Sequence, residues 1–454
     1  MVYEAEAGNI TIALTGDAMI NRHMSTFREP AFLELVELLR GADATIVNLE
    51  QLFHEWDVSY GSVDTTSFQV SDPSILNELK WMGVDAASTA MNHAFDYGEA
   101  GLLATLENCK RYGLPQAGSG VNLGEARAPV FLDTARGRVA FMAAASAGDL
   151  SDMAFAGPGR SDFPGKPGIN ALRSKTVYHI PPEHFEALKQ LRVGLKISER
   201  EEARSRFQPQ ASEPLDETSE LRFMGELFQL SDDYGMETTC HPGDLAGIGD
   251  WIRGARKASD WLVYGFHFHG SAFAGEFHGG SRIGPPDFAI EFAHFAIDQG
   301  CDAVAGHGSH FLRGIELYHG RPIFYSLGNF IFQNETVQRV PVPAYAGLQL
   351  GDDATPGDWG LARSGGEQFG FAIDPVFYRT VVPVCEFAAG TLKEIRLYPV
   401  DLGFGRPMSQ RGRPVLAGDE VARATLEWLG AVSEPFGTEI EIEGSIGFIR
   451  PPAI

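Results

Sequence analysis

Basic residues are scarce in this chain. It carries 60 aspartates and glutamates against 36 lysines and arginines, a formal net charge of −24. That balance argues against a nucleic-acid backbone as the main partner and against docking on an anionic membrane. Cysteine is scarcer still, with four residues, Cys109, Cys240, Cys301 and Cys385, spread along 454 positions. None sits in a CxxC or disulfide-framework spacing, so reduced thiols are expected. Long apolar runs are missing as well. No window reaches the roughly 20 apolar residues of a transmembrane helix, and the opening "MVYEAEAGNITIALTGDAM" shows no basic region followed by an apolar stretch. The expectation is a cytoplasmic protein with no nucleic-acid and no membrane partner. Internal repeats, low-complexity tracts and heptads are also absent.

What is present is an alternation of strands and helices. "NITIALTGDAM" reads as a β-type run ending in Gly-Asp. "FLELVELLRGADATIVNLEQLF" reads as a helix, a glycine stop and a strand ending at Glu50. "PSILNELKWMGVDAASTAMNHAFDYGEAGLLATLENCKRYGL" repeats the theme, and "GRVAFMAAAS" adds a strand. Strands alternating with helices of about 10–15 residues predict βαβ units and a largely parallel sheet. Residues 150–257 break the pattern with a Gly/Pro-rich loop, a charged helical stretch and a polar linker. They read as an insertion, either a lid or substrate clamp or a solvated helical decoration. Alternation resumes at "DWLVYGFHFHG" and runs through "DAVAGHG" to the hairpin-like "GIELYHGRPIFYSLGNFIFQ". The expected organisation is a catalytic domain over 1–335, interrupted by 150–257, and a β-rich extension over 336–454 packed on the same domain.

The chemistry-bearing residues fall at one kind of place. Asp17, Glu50, Asn92 with His93, His267 with His269, and His307 with His310 each follow a predicted apolar strand. Ligands of open parallel sheets bind beyond the carboxyl ends of strands, so these groups converge on one pocket. Imidazole and carboxylate together suit divalent transition metals, and a bridging carboxylate places two ions roughly 3.5–4 Å apart. His93 and Asp96, three residues apart in "NHAFDYG", are expected on one face of a starting helix. Asp96 either orients His93 as a general acid or base, caps the helix, or does both. Glu276 and His278, in the Gly-rich "GEFHGG", read as an acid/base pair, a labile ligand or a solvated loop. Asn329 reads as a turn residue or a hydrogen-bond partner at the site, and His241 and His294 as packing or surface histidines.

The set "GDAM", "NLE", "MNHAFDYGEAG", His-x-His, "GHGSH" and "GIELYHGRPIFYSLGNFIF" resembles the CapA-type poly-γ-glutamate capsule-biosynthesis family, itself similar in fold to the calcineurin-like metallophosphatases. The similarity runs over about residues 9–148 and 258–335, and the tail motifs "LYPVDLG" and "RPMSQRGRP" look like longer members. The resemblance implies a four-layer α/β/β/α sandwich with two divalent ions (Mn, Zn or Fe class) at one edge. It implies Asp17 as first-strand ligand, Glu50 as bridge, and Asn92, His267, His307 and His310 as further ligands. His93 takes the acid/base role. The chain departs from true phosphatases in a bare Gly-Asp, in Asn-Leu-Glu for Gly-Asp, and in Gly270 where related long proteins tend to carry glutamate. Proteins similar to this one include peptide epimerases of lasso-peptide pathways. That implies Cα proton exchange on a precursor peptide, with His93, His269 and Glu276 as candidate bases and Asp96 orienting His93. The competing expectations are metal-dependent hydrolysis of phosphoesters or γ-glutamyl amides, and a non-catalytic subunit of polymer synthesis.

Overall fold

The computed structural model describes residues 8–61, 68–146, 152–207, 215–216, 218–272 and 284–451. Two large sheets lie face to face. From the middle of the ten-stranded sheet to one edge, Ile10–Met19, Ala44–Leu49, Ala86–Ser88 and Gln116–Ala117 run parallel, joined by helices. The seven-stranded sheet is built around Gly137–Ser146, Trp261–His267 and Ala303–His307, also parallel.

Side-chain alternation along each strand creates the layers. In Trp261–His267, Trp261 and Val263 face the other sheet, while Leu262, Tyr264 and Phe266 face helices. In Gly137–Ser146, Val139, Phe141, Ala143 and Ala145 join the inter-sheet core, and Ala140, Met142 and Ala144 the outer one. Strands buried on both faces read as continuous apolar runs, which is how they appear in the sequence. Outer helices follow a 3.6-residue period. Pro30–Gly41 buries Phe32, Leu35, Val36 and Leu39 on the first sheet. Asp287–Gln299 buries Phe288, Phe292 and Ala296 on the second. The architecture is the expected α/β/β/α sandwich.

The stretch expected to be inserted at 150–257 divides. Ala171–Leu172 pairs with Gly137–Ser146, and helix Pro242–Arg256 packs on the outer face of the second sheet. The segment between them forms its own four-stranded sheet from Ser174–Ile180, Glu220–Phe223, Glu226–Leu230 and Gly235–Cys240. Helices Pro182–Gly194 and Ile197–Phe207 accompany it, with a small core of Ile180, Phe185 and Leu221. This segment is therefore part sheet, where the sequence pattern suggested helix. Its base is tied down by Arg173, whose Nε and Nη2 each donate to Asp244 at 2.8 Å. At the other end, Arg379–Ala388 and Thr391–Asp401 extend the first sheet as antiparallel strands beside Ile10–Met19. Among the described residues, no helix is long and apolar enough to cross a membrane, and all four cysteines are buried and free.

One irregularity aims the site. The pairing between Ile10–Met19 and Ala44–Leu49 shifts register between Leu14 and Asp17, and bulges of this kind redirect side chains. Gly16 sits in the shift because a Cβ there would lie 2.0 Å from the Gly328 carbonyl oxygen. The chain recrosses from the second sheet to the first at that point, and Asn329–Phe332 pairs with the far half of the first strand.

Candidate metal centre

Of the expected residues, Asp17, Glu50, His267, His269, His307 and His310 meet between the sheets, at the carboxyl ends of the strands. Asp17 is the register partner of Asn48 on one side and of Asn329 on the other. His267 and His307 oppose each other on the last rung of their parallel pair. Asn48 and Glu50, like His267 and His269, are two positions apart.

Two donor groups result. Asp17, Glu50 and His267 bring one ligand atom each within 4.8 Å of one another, and Glu50, His269 and His310 do the same. Glu50 belongs to both. The Asn48 amide nitrogen donates to Asp17 Oδ1 and to Glu50 Oε2, each at 2.8 Å, and lies 3.4 Å from His267 Nδ1. The Gly308 N–H donates to Asp17 Oδ2 at 3.1 Å. The rings of His269 and His267 are 5.1 Å apart between centroids, and those of His269 and His310 5.7 Å.

Neighbouring bonds select the nitrogen each imidazole offers. His310 Nδ1 lies 3.0 Å from Asn329 Oδ1, and the Asn329 amide donates to the His310 and Phe377 carbonyls, leaving His310 Nε2. Asn329 is thus a positioning residue for His310. His307 Nε2 donates to the Thr15 carbonyl at 3.1 Å, leaving Nδ1. His307 stands outside both donor groups.

Among the described residues, Glu50 Oε1, Asn92 Oδ1, His267 Nε2 and His307 Nδ1 are buried without a hydrogen-bond partner. Buried polar atoms are rarely left so, and these carry the lone pairs that a cation takes. Burial, followed by the Asp17 charge, pushes the Glu50 carboxyl well up, and burial pushes Asp17 up as well. Burial holds His267 well below the ordinary imidazole value, His269 and His307 at about 4 and His310 at about 3. Neutral imidazoles are the ligating form, and two crowded carboxyls are stabilised as anions by a positive charge between them. Oxygen and imidazole donors without thiolate fit divalent ions of the Mn, Zn or Fe class.

His93 lies beside these groups. "NHAF" forms one 3₁₀ turn, Asn92–Phe95, rather than the start of the following α-helix. Its three-residue repeat eclipses His93 and Asp96, and His93 Nδ1 is 2.8 Å from Asp96 Oδ2. That oxygen also accepts the Gln69 N–H at 2.9 Å. The helix Gly98–Tyr112 has no side-chain cap, so the capping role weighed for Asp96 is not realised. Asp96 holds His93 instead, and His93 Nε2 is left to act.

Glu276 and His278 lie outside the described residues. His241 caps helix Pro242–Arg256 by accepting the Asp244 N–H, and His294 pairs with Glu316 at 2.9 Å. Two contributors escaped the sequence reading. Asn48 carried a signal, since a polar residue two before Glu50 on a strand shares its face. Phe371, whose ring centroid is 5.4 Å from that of His310, carried none.

A sequence profile described as bacterial capsule synthesis protein PGA_cap matches residues 11–334. The chain is 34% identical over 452 residues to the uncharacterized protein y4sH of Sinorhizobium fredii, covering 97% of this chain and 93% of that one. It is 23% identical over 336 residues to the PGA biosynthesis protein CapA of Bacillus subtilis, covering 71% of this chain and 63% of that one. A crystal structure of a hypothetical protein from Thermus thermophilus aligns at 13% identity with a TM-score of 0.32, over 89% of this chain and 96% of that one.

Proposed function

The chain belongs to the bacterial capsule synthesis protein family, and from that premise we propose that it is a metal-dependent hydrolase of γ-glutamyl or closely related amide bonds. The observation that supports this most is the position of Glu50, common to the donor groups Asp17–Glu50–His267 and Glu50–His269–His310. Two divalent ions bound there would polarise a carbonyl and supply hydroxide at neutral pH. Asp17, Glu50 and His267 would hold one ion, and Glu50, His269 and His310 the other. Asn48 keeps the two carboxylates in place. His93, held at Nδ1 by Asp96, presents Nε2 as the acid that protonates the departing amine. The substrate class follows the relative named for PGA biosynthesis.

Peptidyl Cα epimerisation is the second reading. It needs two bases on opposite faces of one carbon. Among the described residues, His93 with Asp96 stands outside the donor groups, whereas His269, the other histidine considered as a base, falls within one. Among the described residues one acid/base pair stands beside the donor groups, which supports hydrolysis more than epimerisation.

The test is incubation of metal-loaded protein with oligo-γ-glutamate in deuterated water, read by mass spectrometry. Shorter fragments, lost with chelator and restored by divalent metal, are the expected result. An intact oligomer with deuterium at one Cα would replace this reading with epimerisation. Phosphate released from a model ester, with the oligomer intact, would move the activity to phosphoesters. Inactivity on both, with metal-site variants indistinguishable from wild type in polymer synthesis, would make the protein a non-catalytic accessory.

A further inference from the structure

The two donor groups differ in how their residues are held. Asp17, Glu50 and His267 are buried, and each lies within a strand or one residue past its end. His269 and His310 are half-buried and stand on loops beyond the strands Trp261–His267 and Ala303–His307. Among the described residues, the backbone ladder between those strands ends where the Phe268 N–H donates to the His307 carbonyl at 2.9 Å. Past that point no strand pairing fixes the distance from His269 to His310. The backbone of His310 is also strained, with φ at +64°. A residue other than glycine keeps that left-handed conformation only where its surroundings enforce it.

Arg313 joins the two loops. It is 1% exposed. Its guanidinium carbon lies 5.3 Å from the centroid of the Phe268 ring and 5.5 Å from that of Phe311. Phe268 stands between His267 and His269, and Phe311 follows His310. Aromatic rings attract a guanidinium at this range, more so away from water, and its flat shape stacks where an ammonium cannot. Arg313 Nη2 also donates to Ser271 Oγ at 3.4 Å, two residues past His269. The Arg313 N–H donates to the Ser326 carbonyl at 3.2 Å, and Ser326 Oγ is 2.8 Å from Ser309 Oγ, on the residue before His310. One side chain thus touches the neighbours of His269 on one loop and the neighbour of His310 on the other. Asn329 holds the His310 ring at Nδ1, and Arg313 holds the segment that carries it.

We propose that Arg313 is a positioning residue for His269 and His310, and through them for the ion that Glu50, His269 and His310 would hold. The inference rests on the two-ion reading of the centre and not on the substrate.

The test is stepwise titration of the metal-free protein with Co(II), followed by visible absorption, on wild type, R313M, R313K and F311L. The Tm of each metal-free protein is measured alongside. Wild type is expected to take up two ions in two steps. R313M keeps the first step and binds the second ion about 10–100-fold more weakly. R313K, which retains the charge without the planar group, falls between them, and F311L weakens the second step as well. A general loss of packing would weaken both steps together, so the selective loss separates positioning from bulk stability. A second step of wild-type affinity in R313M overturns the proposal. So does equal weakening of both steps. A single step in wild type overturns it together with the two-ion reading. If R313M fails to fold, R313K and F311L decide, and wild-type second steps in both overturn the proposal. Selective loss of the second ion, in a loaded protein that leaves oligo-γ-glutamate intact, keeps the positioning role and removes the hydrolase reading. Cleavage by wild type, with uptake by R313M unchanged, does the reverse.

Discussion

Asn48 and Asp17 are register partners on adjacent parallel strands, and the Asn48 amide nitrogen reaches Asp17 Oδ1 and Glu50 Oε2 at 2.8 Å each. One neutral side chain thus holds both carboxylates of the site. Such supporting bonds typically account for about 10–100-fold in metal affinity. The N48A variant is expected to remain folded and to bind divalent metal more weakly by about that factor, read by competition with a chromogenic chelator. Unchanged affinity would mean that the strand backbone alone sets the carboxylate positions.

His93 Nδ1 and Asp96 Oδ2 lie 2.8 Å apart. If His93 transfers the proton, H93Q should lower kcat by about 10²–10⁴ with metal stoichiometry unchanged. D96N should lower it less, because an amide oxygen at that position still accepts from His93 Nδ1 and keeps the ring in place. Elemental analysis beside steady-state kinetics decides the matter. Metal lost from H93Q would make His93 a ligand.

Gly308 is confined by conformation and by space. Its φ is +105°, and a Cβ there would lie 2.7 Å from the Phe268 carbonyl oxygen and 3.0 Å from His267 Nε2. G308A is expected to cost about 1–3 kcal/mol of stability from backbone strain and to displace a donor nitrogen. Urea denaturation should show the loss of stability, and metal content should fall with it. A variant with wild-type stability and full metal would contradict this packing.

Asp244 anchors the separate four-stranded sheet and makes its contribution pH-dependent. Burial pushes its carboxyl up, but the two Arg173 side-chain bonds, the Arg173 N–H and the charges of Arg173 and His241 outweigh that. Its proton affinity ends below the ordinary value of 3.8. A carboxyl depressed in the folded state stabilises the protein above the unfolded value, and the stabilisation is lost as pH falls through the folded value. Arg173 is 50% exposed in its side chain, so solvent screening limits the pair, and D244N is expected to cost about 1–2 kcal/mol at pH 7. The gap to wild type should narrow below about pH 4. Denaturant midpoints at pH 7 and pH 3.5 test it, and a gap that stays constant would refute the linkage.

Much of this protein is decided locally. Apolar runs ending in Gly-Asp, Asn-Leu-Glu, His-Phe-His and Gly-His-Gly mark strands and the polar groups at their ends. Strands of a parallel sheet point the same way, so their ends share an edge. That logic needs only period and order, and it predicts that Asp17, Glu50, His267, His269, His307 and His310 share one edge. Chain order also carried the His93–Asp96 pair, because a contact three residues apart survives whether the turn is α or 3₁₀.

Tertiary structure decided what depends on register and on distant segments. Glu50 is common to two donor groups, and His269 lies in one of them, because rings from two sheets meet across the core. Asn48 became a positioning residue through the bulge before Asp17, and Asn329 through the recrossing at Gly328. Phe371 reaches the His310 ring from about 60 residues further along the chain, where no local pattern marks it. Side-chain period is a property of the single chain and can be read along it. Which faces meet, and which distant ring comes to rest beside His310, is settled only when the sheets pack and the C-terminal strands close on the first.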